Sequence, residues 1–261
     1  MNSIKIFLFV LIFLYIAAIV YLYVTQDEKI FNFSIVEKKK PQVLKECKKC
    51  KEVKLKVDGG VLDGVYLDNN SSKLLIYFGG NTDDATDFLS IFKNLKKIDI
   101  VAFNYRGNAL SSGKPSEEAL FSDALKIYET FAKNKEVFVV GRSLGSGIAT
   151  FLASKKNVKK LFLITPYDSI ENIAKQKYPF FPIHWLIKYK FNSLKYIKNV
   201  KADIIVFMVK NDNVVSNKRT ENLLKNIKSS ISVKKFDNTT HANILEDKNF
   251  IKEFTSIFEA E

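Results

Sequence analysis

Residues 6–24 form an uninterrupted uncharged run of Ile, Leu, Phe, Val, Tyr and Ala, and from residue 53 onward the apolar positions fall into short runs separated by amphipathic stretches. At about 1.5 Å per residue the first run reaches roughly 28 Å as a helix, close to the hydrocarbon thickness of a bilayer. It predicts one membrane-spanning helix. A cleaved export signal also begins near a lysine such as Lys5, but its apolar region is shorter and ends in small residues, whereas Tyr21, Tyr23, Thr25 and Gln26 follow here. The runs at 53–57, 61–67, 74–78, 98–103, 137–140, 161–164, 204–209 and 231–236 are short and rich in β-branched and aromatic residues, which predicts strands. Helical patterns lie between most of the later ones. Ser116 is placed to cap one of them, with Glu117 and Glu118 at the positive end of the dipole and Ala119, Phe121, Ala124, Leu125, Tyr128 and Phe131 on its apolar face. Strands separated by such helices predict an α/β fold with a mostly parallel central sheet and helices on both faces, whose site lies at the carboxyl ends of the strands.

This pattern divides the chain into an anchor at 1–26, a Lys-rich stalk at 27–52 and a single domain at 53–261, with an aromatic-rich, lid-like insertion at 166–200. The net charge of +13 first suggests nucleic acid, but only Arg106, Arg142 and Arg219 among the 41 basic residues are arginine. Base readout favours the planar arginine fork, and the lysines are scattered over every segment, so they read as a solvated surface attracted to anionic partners, lipid headgroups included. Cys47-Lys48-Lys49-Cys50 raises redox chemistry or a zinc site. A zinc site needs further ligands that no second C-x-x-C or nearby His supplies, and a thioredoxin-like motif follows a strand and opens a helix, so a local disulfide or a pair of free thiols is expected. Charge around the helix points both ways: Lys29 and Lys38 to Lys40 argue for a cytoplasmic domain, whereas Asp27, Glu28 and the export-like shape of the segment lean to the extracytoplasmic side.

The chemistry concentrates after the fifth strand, where Gly141-Arg142-Ser143-Leu144-Gly145 is followed by a helical pattern. A serine raised on a sharp strand-to-helix turn needs small residues two positions before and two after it. With 10 Gly and 19 Ser in 261 residues, chance yields G-x-S-x-G about 0.03 times. A phosphate-cradling loop is the alternative, but the lysine of that motif is missing. Ser143 is therefore the candidate nucleophile, and it needs a histidine base. The chain has two. His241 lies in a polar loop after the last strand, whereas His184, within Phe180-Phe181-Pro182-Ile183-His184-Trp185, reads as a packing residue. Asp212, after the strand at 204–209, is the candidate acid; Asp203 precedes that strand at the wrong end, and Asp237 is the competitor beside His241. For an oxyanion, the Leu144 amide and the Asn81 amide in the loop Gly79-Gly80-Asn81 are the candidate donors.

Together with Phe103-Asn104-Tyr105-Arg106-Gly107, Ser112-Gly113-Lys114-Pro115, Thr165-Pro166-Tyr167-Asp168-Ser169 and Tyr178-Pro179-Phe180-Phe181-Pro182, these motifs resemble the α/β-hydrolase family, in particular its membrane-anchored serine hydrolases, over roughly 53–258. Many members carry His-Gly-Asn where this chain has Gly79-Gly80-Asn81. The resemblance implies the α/β-hydrolase fold and hydrolysis of an acyl ester or thioester through an acyl-enzyme, without metal or organic cofactor. The adjacent membrane and the Lys-rich surface make lipid esters or lipidated proteins the expected substrates, with no nucleic-acid partner, while the aromatic insertion reads either as an apolar wall for an acyl chain or as a lid packed on the core. The competing function class is a membrane-tethered binding or scaffold module that keeps the fold without catalysis.

Overall fold

The computed structural model describes residues 2–259. Its first element, α1 (Asn2–Ile30), is long and apolar enough to cross a membrane, with a mean hydropathy of 2.8 over its most apolar window and none of that window buried against the rest of the chain. Next come α2 (Val43–Glu46), β1 (Cys50–Val57), β2 (Gly60–Leu67), β3 (Lys73–Phe78), α3 (Asp87–Phe92), β4 (Asp99–Phe103), α4 (Glu117–Phe131), β5 (Glu136–Arg142) and α5 (Leu144–Lys155). The chain continues through β6 (Lys160–Ile164), α6 (Ile170–Lys177), α7 (Ile183–Leu186), α8 (Ser193–Ile197), β7 (Asp203–Val209), α9 (Asn217–Leu224), β8 (Ile231–Phe236) and α10 (Lys248–Glu259).

The eight strands form one sheet in the order β1-β2-β4-β3-β5-β6-β7-β8. The pairs β1–β2 and β2–β4 are antiparallel, and every later pair is parallel. Alternation along the strands supplies two cores. Leu74, Ile76, Val137 and Val139 face α4 and α5, while Leu75, Tyr77, Phe138 and Val140 face α3 and α10. On α10 the spacing of Phe250, Phe254 and Phe258 puts three buried rings in one stripe. Ser116 caps α4 as expected, its side chain accepting from the Ala119 amide, but the buried stripe is Leu120, Phe121, Ala124 and Ile127. That stripe is rotated from the expected one, leaving Leu125, Tyr128 and Phe131 as its half-buried flank.

The lysine-rich stretch after α1 packs on the domain. Phe31, Phe33 and Val43 are buried, Phe31 against Tyr189 and Phe191 and Phe33 against Tyr105. Apolar residues spaced among the lysines drive this docking, and β1 starts at Cys50, three residues ahead of the apolar pattern. Cys47 and Cys50 are joined by a disulfide at the start of that strand.

Candidate active site

Ser143 occupies the turn between β5 and α5 with φ 48° and ψ −117°, a backbone conformation that L-residues adopt only under local strain. Its neighbours explain how the turn is tolerated. A Cβ at Gly145 would stand 2.1 Å from the Phe78 carbonyl oxygen, and one at Gly141 would stand 2.4 Å from that of Gly145, so both positions require glycine. The Ser143 amide donates to the Ile164 carbonyl at 2.9 Å, and the Ser146 amide and hydroxyl donate to the Ser143 carbonyl at 2.9 and 2.6 Å.

The loops after β7 and β8 bring the other candidates to this serine. His241 Nε2 lies 2.9 Å from Ser143 Oγ, and its Nδ1 lies 2.7 Å from Asp212 Oδ2. The other carboxylate oxygen, Asp212 Oδ1, accepts the amides of Val214 and Val215 at 2.8 Å each, which fixes the plane of the group. Both side chains are almost fully buried. The rival acid, Asp237, is largely exposed and pairs with Lys210 at 3.3 Å, while Asp203 begins β7 at the opposite edge of the sheet. His184 is not a packing residue: its side chain is 58% exposed and Nδ1 sits 2.7 Å from Glu171 Oε1, because α6 carries that carboxylate back over α7. Lys175 and His184 hold the Glu171 carboxyl below the usual range despite the opposing effect of burial.

Leu144 and Asn81 line the same cavity as Ser143. The loop bearing Asn81 is tied down at several points. Tyr105 donates its hydroxyl to the Gly79 carbonyl at 2.8 Å, Asn108 Nδ2 donates to the Asp83 carbonyl at 2.8 Å, and the Gly80 amide donates to Asp83 Oδ2 at 2.7 Å. The Gly80 amide is thus already committed, and Asn81 is the next one along the loop.

Arg142 was not among the sequence candidates. Its guanidinium is buried behind the serine, pairs with Asp83, and donates through Nη2 to the carbonyls of His241 and Ala242 at 2.9 Å each. One side chain therefore joins the serine turn, the Asn81 loop and the His241 loop. Burial works against its charge, but the Asp83 carboxylate outweighs this and raises the Arg142 pKa above its ordinary value. The available signal was an arginine inside the turn itself, but its partners lie far away in sequence.

The cavity above Ser143 measures about 690 Å³ and is walled by Tyr167, Ile170, Ile173, Ala174 and Tyr178 from the insertion, by the 212–216 loop, and by Lys29 and Ile30 at the end of α1. A mostly apolar wall around a few convergent polar groups suits an acyl group with a polar carbonyl. Among the described residues, no three His, Cys, Asp or Glu side chains gather as metal ligands.

A strained serine turn above the carboxyl end of a central parallel strand, with crossover helices on both faces, is the architecture of the α/β-hydrolase fold. A family model for the alpha/beta hydrolase fold matches residues 73–211, and the chain belongs to that family. It is 27% identical over 177 residues to an uncharacterised protein of Mycobacterium tuberculosis, covering 64% of this chain and 63% of that one. It is 26% identical over 172 residues to a lysophosphatidylserine lipase of Danio rerio, covering 56% of this chain and 45% of the lipase. The chain therefore spans less than two thirds of the length of these relatives. An esterase of Pyrococcus furiosus shares the fold at a TM-score of 0.66 and 17% identity, over 86% of this chain and 95% of the esterase.

Proposed function

We propose that the protein is a membrane-anchored serine hydrolase that cleaves carboxylic esters, and thioesters by the same chemistry, through Ser143, His241 and Asp212. The observation that carries this reading is the unbroken hydrogen-bond chain from Ser143 Oγ through both nitrogens of His241 to Asp212. Asp212 accepts from Nδ1–H and so leaves Nε2 as the acceptor of the serine proton. As Oγ attacks the acyl carbonyl, that proton passes to Nε2, and the imidazolium then protonates the departing alcohol or thiol. Water repeats the sequence on the acyl-serine, giving the free acid and restoring Ser143. The negative charge on the carbonyl oxygen is met by the Leu144 and Asn81 amides. The apolar cavity wall, the adjoining α1 and the resemblance to a lipase favour lipid esters as substrates. We infer further that α1 anchors the domain on the extracytoplasmic side, a reading supported by the Cys47–Cys50 disulfide, since such bonds persist in oxidising compartments.

A serine-directed fluorophosphonate is expected to label the full-length protein but not Ser143→Ala. Ser143→Ala and His241→Ala lose short-ester hydrolysis by at least about a thousandfold while melting within a few degrees of the wild type, and His184→Ala keeps most activity. Labelling that survives Ser143→Ala, or an inactive His184→Ala beside an active His241→Ala, overturns the assignment.

A further inference from the structure

A second cavity of about 90 Å³ continues the first away from Ser143. The two share Lys29, Ile30, Ile170, Ala174 and Tyr178, and the second ends against Leu22 of α1 and Ile183, Leu186 and Ile187 around α7. An apolar track thus leads from the serine to the flank of the helix that is long enough to span a membrane.

The insertion is fastened to that helix at two levels. The Tyr15 ring stacks on Phe181 with centroids 5.4 Å apart, and its hydroxyl donates to the Phe180 carbonyl at 2.9 Å. Eleven residues later, about 16 Å along the helix, Gln26 Nε2 donates to the Leu186 carbonyl at 3.1 Å and Oε1 accepts from the Lys188 amide at 2.7 Å. Residues 180–188 therefore run beside the last turns of α1. Lys29 lies 4.5 Å over the Tyr21 ring and Lys188 lies 4.7 Å over that of Tyr23. Lysines paired with tyrosines at a helix end mark the headgroup level. Tyr15 lies six residues before Tyr21, about 9 Å deeper, which matches the depth at which interfacial segments bury apolar side chains. Phe180 and Trp185, at 85% and 83%, are the most exposed large apolar side chains among the described residues. Exposure of that size beside an apolar helix calls for an apolar surrounding.

We propose that residues 178–187 form a second membrane-inserting element, with Phe180 in the acyl region of the leaflet beside α1 and Trp185 nearer the headgroup level, and that a lipid acyl chain reaches Ser143 sideways from that leaflet along the cavity track. The insertion stands on geometry alone, whereas the access route rests on the ester-hydrolase reading. The occupant of this face is the lipid leaflet: the face is continuous with α1, and lysines flank it at headgroup height.

Trp185 is the single tryptophan of the chain, so intrinsic fluorescence reports on this segment without labelling. In phosphatidylcholine vesicles, the full-length protein is expected to lose about half of its emission when the lipids carry bromines at the headgroup end of the acyl chains, and to be quenched far less by iodide. Quenching by iodide but not by bromolipid overturns the insertion, and so does shielding from both, which would mean that a second copy or another protein covers the face. For the access route, Phe180→Ser with Trp185→Ser should lower hydrolysis of a long-chain ester embedded in vesicles about tenfold and leave a water-soluble short-chain ester unchanged. Equal loss on both substrates, or on neither, refutes lateral access. Bromolipid quenching in a protein that fluorophosphonate fails to label would sustain the insertion and reject the access route together with the hydrolase reading.

Discussion

Arg142→Lys tests how the site is held together. Lysine keeps the positive charge opposite Asp83, so the cost of several kcal/mol for an unpaired buried carboxylate is avoided. It lacks the planar fork, and a single ammonium at the end of a flexible stem cannot reach Asp83 and both loop carbonyls together. The loss is the pair of 2.9 Å bonds to His241 and Ala242. A hydrogen bond to a charged group contributes about 1.5–3 kcal/mol and a buried unpaired carbonyl costs about 1–3, but water and relaxation recover part of both, which leaves about 3 kcal/mol of lost stability. A domain with typical stability of about 5–15 kcal/mol still folds with that loss. Catalysis suffers separately, because the carbonyl of the base itself is released; displacement on the order of 1 Å at a reacting group costs about 100-fold. We expect kcat on a soluble short ester to fall about 10- to 100-fold, or about 1.4–2.7 kcal/mol of barrier, with KM little changed. Urea denaturation followed by circular dichroism gives the first quantity, and steady-state kinetics on folded protein gives the second. Adding Asp83→Asn to the Arg142→Lys background should cost less than Asp83→Asn alone, as expected for residues of one network. A stability loss with kcat intact would reduce Arg142 to a strut, and unchanged stability would refute the energetic reasoning itself.

Asp99 is fully buried and accepts from Lys135, Tyr66 and the amides of Asn69 and Ser71; burial opposes its charge, yet these donors together hold its carboxyl below the usual range. A depressed folded value means that its contribution is complete above the unfolded value near about 3.9 and is lost as pH falls through the lower folded one. Asp99→Asn should therefore be about 2–4 kcal/mol less stable at neutral pH, and its deficit should shrink on acidification below about pH 4; a deficit independent of pH in that range would remove the charge from the explanation. Gly145→Ala drives a Cβ into the Phe78 and Gly79 carbonyls and should cost at least about 3 kcal/mol with collapse of activity. Gly80→Ala approaches only the Asp83 carboxylate, at 3.2 Å, and should cost less than about 1.5 kcal/mol in thermal unfolding. Equal melting temperatures for the two variants would contradict the contact geometry.

What could be read in the chain and what could not divide along sequence distance. The motif of the serine turn is local, with its glycines two residues away on either side, although only the clash at Gly141 involves the following helix and that at Gly145 involves the distant Phe78 and Gly79 carbonyls. Asp212 and His241 were legible for a different reason, namely that strands running parallel deliver their following loops to one edge of the sheet, so chain order alone brings such loops together. The antiparallel edge formed by β1 and β2 left no comparable mark, because alternation along a strand does not reveal its direction. Arg142 was invisible as a clamp because each of its partners looks ordinary in its own loop: Asp83 is one of two neighbouring acids, and two backbone carbonyls carry no sequence signal. His184 was misread for the same reason, since its carboxylate partner arrives from the preceding helix rather than from the apolar stretch around it.

The anchor shows the same limit at larger scale. Hydropathy picks out residues 6–24 from composition, but composition is silent on what the helix touches. Tyr15 and Gln26 lie on its flank with bonds to Phe180 and Leu186, and Lys29 and Ile30 close one side of the cavity that contains Ser143. A tether of any sequence would keep a soluble domain near a bilayer; a helix that supplies cavity wall also orients the domain. With α1 along the membrane normal, these contacts turn the insertion and the cavity's far end toward the lipid. Reorienting the domain would require breaking the Gln26 and Tyr15 bonds and exposing the Phe31 and Phe33 rings. If the access route proposed above holds, replacing residues 6–24 with an unrelated spanning sequence while keeping Lys29 and Ile30 in the cavity wall should spare soluble-ester turnover and lower turnover of bilayer-embedded esters.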